Sequence, residues 1–137
     1  MSNLDSVESE AAFTARICDE MRAAGAVVHV LTGNALSSGL PDRLVVTAYG
    51  TWLLEFKAAD GRLRLNQALA MQEMARRQPK LCLVVRSPRG QGEPILLQTA
   101  CEAAVHPSRC LTVAEVPTGI AMMSDGERLL QVLTSLQ

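Results

Sequence analysis

The sequence predicts an α/β fold, a mixed β-sheet flanked by helices, on three observations. Phe13, Ile17 and Met21 recur at i, i+4 and i+8 and draw one apolar stripe along a helix. Short apolar runs bounded by turn residues, "AVVHVLT", "RLVVTA", "TWLLEFK" and "LCLVVRS", have the length and composition of strands. Their order with the helical segments is αβββαβ, which calls for one mixed sheet with helices on its faces. At 137 residues, 48% of them hydrophobic and 20% charged, the chain fits a single domain over 1–137 with a packed core.

The first helix is expected from Ser9 to Ala24, with Gly25 placed to end it. "AVVHVLT" is then a short strand, and "GNALSSGLP" a polar, glycine-rich loop. "RLVVTA" and "TWLLEFK" form a hairpin joined at "YG". The Asp-Gly pair in "AADGRLRL" makes a second turn, and a helix runs from about Asn66 to Gln78, where Pro79 stops it. "LCLVVRS" is apolar nearly throughout, as expected of a strand covered on both faces. "ILLQ" is a candidate strand and "TACEAAV" a short helix. "RCLTVAEV" fits strand or loop. Ser124 and Glu127 are spaced as a capping box ahead of a closing helix.

Composition narrows the function classes. The longest apolar run, "LCLVV", is far below the ~20 residues that span a bilayer, so no membrane segment is expected. The acidic start "MSNLDSVESE" is the opposite of a secretory signal. The four cysteines form no C-x-x-C pair; they read as reduced thiols of a cytoplasmic protein, not as a zinc or redox site. The four aromatics are too scattered for a base-stacking platform. Net charge is -1, yet residues 61–90 carry seven bases against one acid, Glu73. Basic charge gathered in one segment is an electrostatic footprint for nucleic acid. Arg62 and Arg64 precede the second helix; Arg76 and Arg77 stand about three turns along it, roughly 15 Å away by helical rise.

The hairpin concentrates chemistry at its open end. Alternation puts Trp52, Leu54 and Phe56 on one face, and Leu53, Glu55 and Lys57 on the other. A tip at Tyr49-Gly50 sets Asp42 opposite Lys57; a shift of one position sets it opposite Glu55. Opposed residues have Cβ atoms roughly 4.5–5.5 Å apart, within reach of a shared ligand. Two carboxylates at that distance repel unless a cation lies between them. Hard oxygen donors on a strand suit Mg²⁺ or Mn²⁺, and the Phe56 backbone carbonyl is a further oxygen. Lys57 is placed to orient a water or to balance charge developing on a phosphate. Taken singly, Asp42 after Pro41 is a common turn residue and Glu55 with Lys57 a guarded edge strand; their convergence favours a site.

Pro41-Asp42 followed by Glu55-x-Lys57 resembles the PD-(D/E)xK nuclease superfamily. The fuller pattern "GLPD…LLEFK…DGRL…Q" is similar to its small VRR-NUC branch, related to Holliday-junction resolvases. The resemblance implies a restriction-endonuclease-like core over about residues 8–86, with Asp42 and Glu55 as metal ligands, Lys57 as the catalytic lysine and Gln67 as a polar active-site residue. It also implies a metal-holding glutamate from the first helix. Glu10 is chosen for that role because its spacing to Phe13 and Ile17 sets it on the inward stripe. The implied activity is Mg²⁺- or Mn²⁺-dependent hydrolysis of DNA, structure-specific as in resolvases, with a homodimer as one arrangement. The alternative is a nuclease fold kept as a non-catalytic DNA-binding or assembly subunit. Beyond Val85 the chain departs from the family pattern, and residues 87–137 form an extension of unassigned packing.

Overall fold

A computed structural model describes residues 8–31, 40–100, 115–119 and 121–136. Helix α1 (Glu10–Ala23) leads into β1 (Val27–Val30), β2 (Arg43–Thr47) and β3 (Gly50–Lys57). Helix α2 (Leu65–Arg77) crosses to β4 (Cys82–Arg86), followed by β5 (Ile95–Thr99), β6 (Glu115–Val116) and α3 (Asp125–Ser135). The strands form one six-stranded sheet in the order β1-β2-β3-β4-β5-β6. Among the described strands only β3 and β4 run parallel, and α2 is their crossover; the other neighbours are antiparallel.

Local signals account for the boundaries. The Ser9 hydroxyl accepts from the Ala12 N–H and caps α1, while Gly25 takes a positive φ of 103° as the chain leaves it. The Ser124 hydroxyl accepts from the Glu127 N–H and caps α3. Helix α2 ends one residue short of Gln78, whose extended backbone is the conformation that Pro79 imposes on its predecessor. The first strand is shorter than "AVVHVLT" suggests. The hairpin tip is corrected as well: Thr47 pairs with Gly50, so Ala48-Tyr49 form the turn. The helix expected over "TACEAAV", and most of "GNALSSGLP" and "RCLTVAEV", lie outside the described residues.

The sheet has an apolar layer on each face. Trp52, Leu54 and Phe56 of β3 join Val45, Leu83, Val85, Ile95 and Leu97 beneath Phe13, Ile17 and Met21 of α1 and Leu129 and Leu133 of α3. On the opposite face, Met71 and Ala75 of α2 cover Cys82 and Val84. Fully burying one large side chain of this kind is worth about 1.5–3 kcal/mol. The described part of the extension after Val85 therefore joins the core: β5 and β6 widen the sheet, and α3 lies against α1. Gly126 permits that approach, since a Cβ there would stand 2.8 Å from both the Ile17 carbonyl oxygen and the Met21 nitrogen. Arg16 of α1 fastens the junction, pairing with Asp125 (2.9 Å), Glu8 (3.0 Å) and Glu20 (3.3 Å). No helix among the described residues is long and apolar enough to cross a membrane.

Candidate active site

The register decides between the two placements open to Asp42. Arg43 pairs with Leu54, so Asp42, one residue before β2, falls opposite Glu55. Its backbone N–H donates to Glu55 Oε1 (3.1 Å). Glu55 is only 4% exposed, on the face that α2 covers. Gln67, also buried, enters from the first turn of α2. Its Oε1 accepts from the Arg64 N–H (3.4 Å), which leaves its amide nitrogen to donate to the Glu55 carboxylate. Lys57 Nζ stands 3.6 Å from Glu55 Oε2. Asp42, Glu55, Lys57 and Gln67 thus meet at one point, drawn from the start of β2, the end of β3 and the start of α2.

The electrostatics of this cluster are unfavourable to two free carboxylates. Burial and then the Glu55 charge push the Asp42 carboxyl up to about 7, with a smaller contribution from Glu10; Arg43 and the Phe56 N–H oppose the rise. Arg43 Nη1 lies 3.6 Å from Asp42 Oδ2 and donates to the Asp42 carbonyl. Burial also raises Glu55, against the hydrogen bond from Gln67, the charge of Lys57 and the Asp42 N–H. Asp42 Oδ1 is buried and has no hydrogen-bond partner among the described residues. An unpartnered carboxylate oxygen beside a second carboxylate is one that a cation or a proton satisfies.

The Phe56 carbonyl is oriented to join that donor set. The Lys57 carbonyl accepts from the Ser87 N–H and so faces β4. Successive carbonyls along a strand alternate in direction, so that of Phe56 turns toward β2 and Asp42. Two carboxylates, one carbonyl and positions left for water fit a hard divalent ion such as Mg²⁺.

Glu10 requires a correction. It is exposed, not on the inward stripe, and its Oε1 accepts from the Ala58 N–H (3.0 Å), the peptide that follows Lys57. Spacing by three and seven residues brings Glu10 onto the side of Phe13, but at the first turn of α1 that side has already passed the rim of the sheet. Among the described residues, no three His, Cys, Asp or Glu side chains gather closely enough to hold a metal ion. Glu10 stands beside the carboxylate pair, near enough for its charge to add to the rise of Asp42.

The four arginines expected to meet DNA divide into two pairs. Arg62 and Arg64 are exposed in the segment entering α2, immediately ahead of Gln67. Arg76 and Arg77, exposed near the end of α2, both pair with Glu73, and Arg77 Nη1 lies 3.3 Å from its Oε2. A cleft of about 350 Å³, lined by Glu8, Ala58, Asp60, Ser87 and Arg89 among others, opens beyond the ends of β3 and β4.

Arg86 is one of the seven bases counted over residues 61–90, but its burial removes it from any charged surface, and Gln98 is passed over by sequence reasoning. Both are fully buried, and Arg86 Nε donates to Gln98 Oε1 (2.6 Å). The signal is present in the chain, as a single charge closing "LCLVV" and a single amide closing "ILL" in strands that are otherwise apolar. Comparison of the chain with protein-family models and with curated proteins finds no match.

Proposed function

We propose that this chain is a metal-dependent nuclease that hydrolyses phosphodiester bonds of DNA, with a core of the PD-(D/E)xK type and the VRR-NUC branch as the nearest pattern. The observation that carries the reading is the facing Asp42–Glu55 pair, Glu55 buried and Asp42 half-buried, with Lys57 against it. A buried glutamate that faces a second, half-buried carboxylate is costly to keep unless a cation or a proton neutralises the pair. A structural or assembly subunit has no use for that cost, which is why the catalytic reading is preferred to the inactive one.

Asp42, Glu55 and the Phe56 carbonyl would hold Mg²⁺ or Mn²⁺. When bound, the ion supplies Lewis-acid polarisation of the phosphate and readies a water for attack. The chain's own groups prepare the rest. Gln67 and the Asp42 N–H fix the Glu55 carboxylate, so its rotamer is set before substrate arrives. Lys57 places a cation beside Glu55, where it orients the attacking water and offsets negative charge gathering on the phosphate oxygens. The water oxygen bonds to phosphorus, the P–O bond to one sugar breaks, and the departing oxygen takes up a proton. Arg62 and Arg64 stand where the phosphate backbone would approach. Resolvase-like preference for branched DNA, and a homodimer, belong to the same proposal.

The test is incubation with labelled linear, nicked, flapped, branched and single-stranded DNA in Mg²⁺, Mn²⁺ or EDTA. Cleavage of at least one substrate that EDTA abolishes is expected. No cleavage of any of them, in either metal, contradicts the reading.

A further inference from the structure

We propose that Arg86, backed by Gln98, is a positioning residue that clamps the turn after Lys57 and so sets the lysine end of the site; its role in turnover rests on the nuclease reading above. Arg86 closes β4 directly beside Lys57, its register partner on β3. Its guanidinium points away from solvent and is fully buried. Among the described residues it makes no ion pair, and its partners are neutral: Nε holds Gln98 Oε1 (2.6 Å), while Nη1 holds the carbonyls of Ala58 (3.1 Å) and Gly61. Nη2 is buried with no partner among the described residues.

A buried cation whose hydrogen bonds all go to neutral oxygens, with the Asp60 and Glu10 charges acting on it without an ion pair, is a poor stabiliser of a fold. Well-packed apolar replacements of buried charges are commonly neutral or stabilising. What this cation does achieve is geometric. The planar fork of an arginine fixes several acceptors at once, which a lysine or an amide does not. Here the acceptors are the two ends of one turn, since the Gly61 N–H also donates to the Ala58 carbonyl (3.1 Å). The Ala58 peptide is thus held on both sides, its N–H by Glu10 and its carbonyl by Arg86. That peptide leaves Lys57, and the turn leads through Arg62 and Arg64 to Gln67. With the turn fixed, Lys57 and Gln67 keep their distances to Glu55; with the turn loose, the lysine loses its aim while Asp42 and Glu55 stay in register.

Two variants test this, the double substitution Arg86→Met with Gln98→Leu and the single Arg86→Lys. Amide hydrogen exchange over residues 58–64 should accelerate in the double variant, with α1 and β2 unchanged, and Arg86→Lys should fall between it and the parent. In cleavage assays kcat should drop by about 100-fold, the scale of a misplacement near 1 Å, with KM and metal affinity within about threefold. The melting temperature should hold or rise. Unchanged exchange at 58–64, or unchanged kcat, overturns the proposal. So does a fall in melting temperature in which metal affinity and rate are lost together, because that is the signature of a merely structural residue. If the parent chain cuts no DNA, the nuclease reading fails by itself, and exchange at 58–64 alone decides whether Arg86 clamps the turn.

Discussion

At the scale of single residues, Asp42 sets a measurable dependence on pH. An unfolded aspartate releases its proton near pH 4, whereas folded Asp42 keeps its own up to about 7. Between those values the native state holds a proton that the unfolded state has lost. Without metal, stability therefore falls as pH rises through that window. Asp42→Asn cannot titrate and should lose the part of this slope that Asp42 contributes, keeping that of Glu55, which burial also raises. In EDTA it should be more stable than the parent above pH 7, with the gap closing toward pH 4, as read from urea unfolding across that range. Added Mg²⁺ should stabilise the parent at pH 8 and leave Asp42→Asn nearly unmoved. Parallel curves for the two proteins would mean that Asp42 and Glu55 do not burden each other. The pair itself was legible in the sequence, because alternation and hairpin pairing leave only two registers. Which register holds was not: it depends on whether the turn takes Ala48-Tyr49 or Tyr49-Gly50, and both are plausible by residue type. The exposure of Glu10 was not legible for a related reason, since helical spacing gives a direction around the axis but not where the helix begins relative to the sheet.

Among the elements, the entry to α2 and the seat of α3 carry the next expectations. Arg62 and Arg64 precede Gln67 on the exposed side of that entry. Each phosphate neutralised on duplex DNA adds close to one unit to the slope of log K against log salt. Replacing both arginines by Ala should weaken binding to all sequences alike and flatten the slope by about two units, measured by fluorescence anisotropy at several salt concentrations. An unaltered affinity and slope would make this segment an ordinary solvated turn. Arg76 and Arg77 are weaker candidates than their charge suggests, because Glu73 already faces both. For α3, Gly126→Ala would drive a Cβ to 2.5 Å from the Glu20 Cβ and against the α1 backbone. Overpacking of that kind costs about 1–3 kcal/mol, to be read from denaturant midpoints at constant slope. Ser9, expected as the first helical residue, is instead the cap of α1. The glycine that ends α1, the Ser124 cap of α3 and the stop of α2 before Pro79 were legible, each resting on short-range residue chemistry. The contact of α3 with α1 was not, because a glycine in a first helical turn looks the same whether it faces solvent or a neighbouring helix.

In the whole molecule, one mixed sheet with α1 and α3 on one face and α2 on the other brings β2, β3 and α2 together at a single corner. The αβββαβ order anticipated that layering, and the parallel β3–β4 pair, joined through α2, is what returns Gln67 to Glu55. Residues 87–137 had no assigned place in the sequence reading; the described part of them completes the sheet and the α1 face. Arg86 counts with the basic segment in the sequence, and its pairing with Gln98 escaped notice because a buried polar pair spanning two strands is set by sheet order, which no local pattern encodes. The central claim is that the corner formed by Asp42 and Glu55 is a metal-dependent nuclease centre. The most direct measurement compares Mg²⁺-dependent cleavage of labelled DNA by the parent, Asp42→Ala and Glu55→Ala, with circular dichroism of each as the check on folding. The prediction is that both variants keep the parent spectrum and lose cleavage by at least about 100-fold, the order expected when a group positioning the reaction is removed. Cleavage at the parent rate by both folded variants would contradict it.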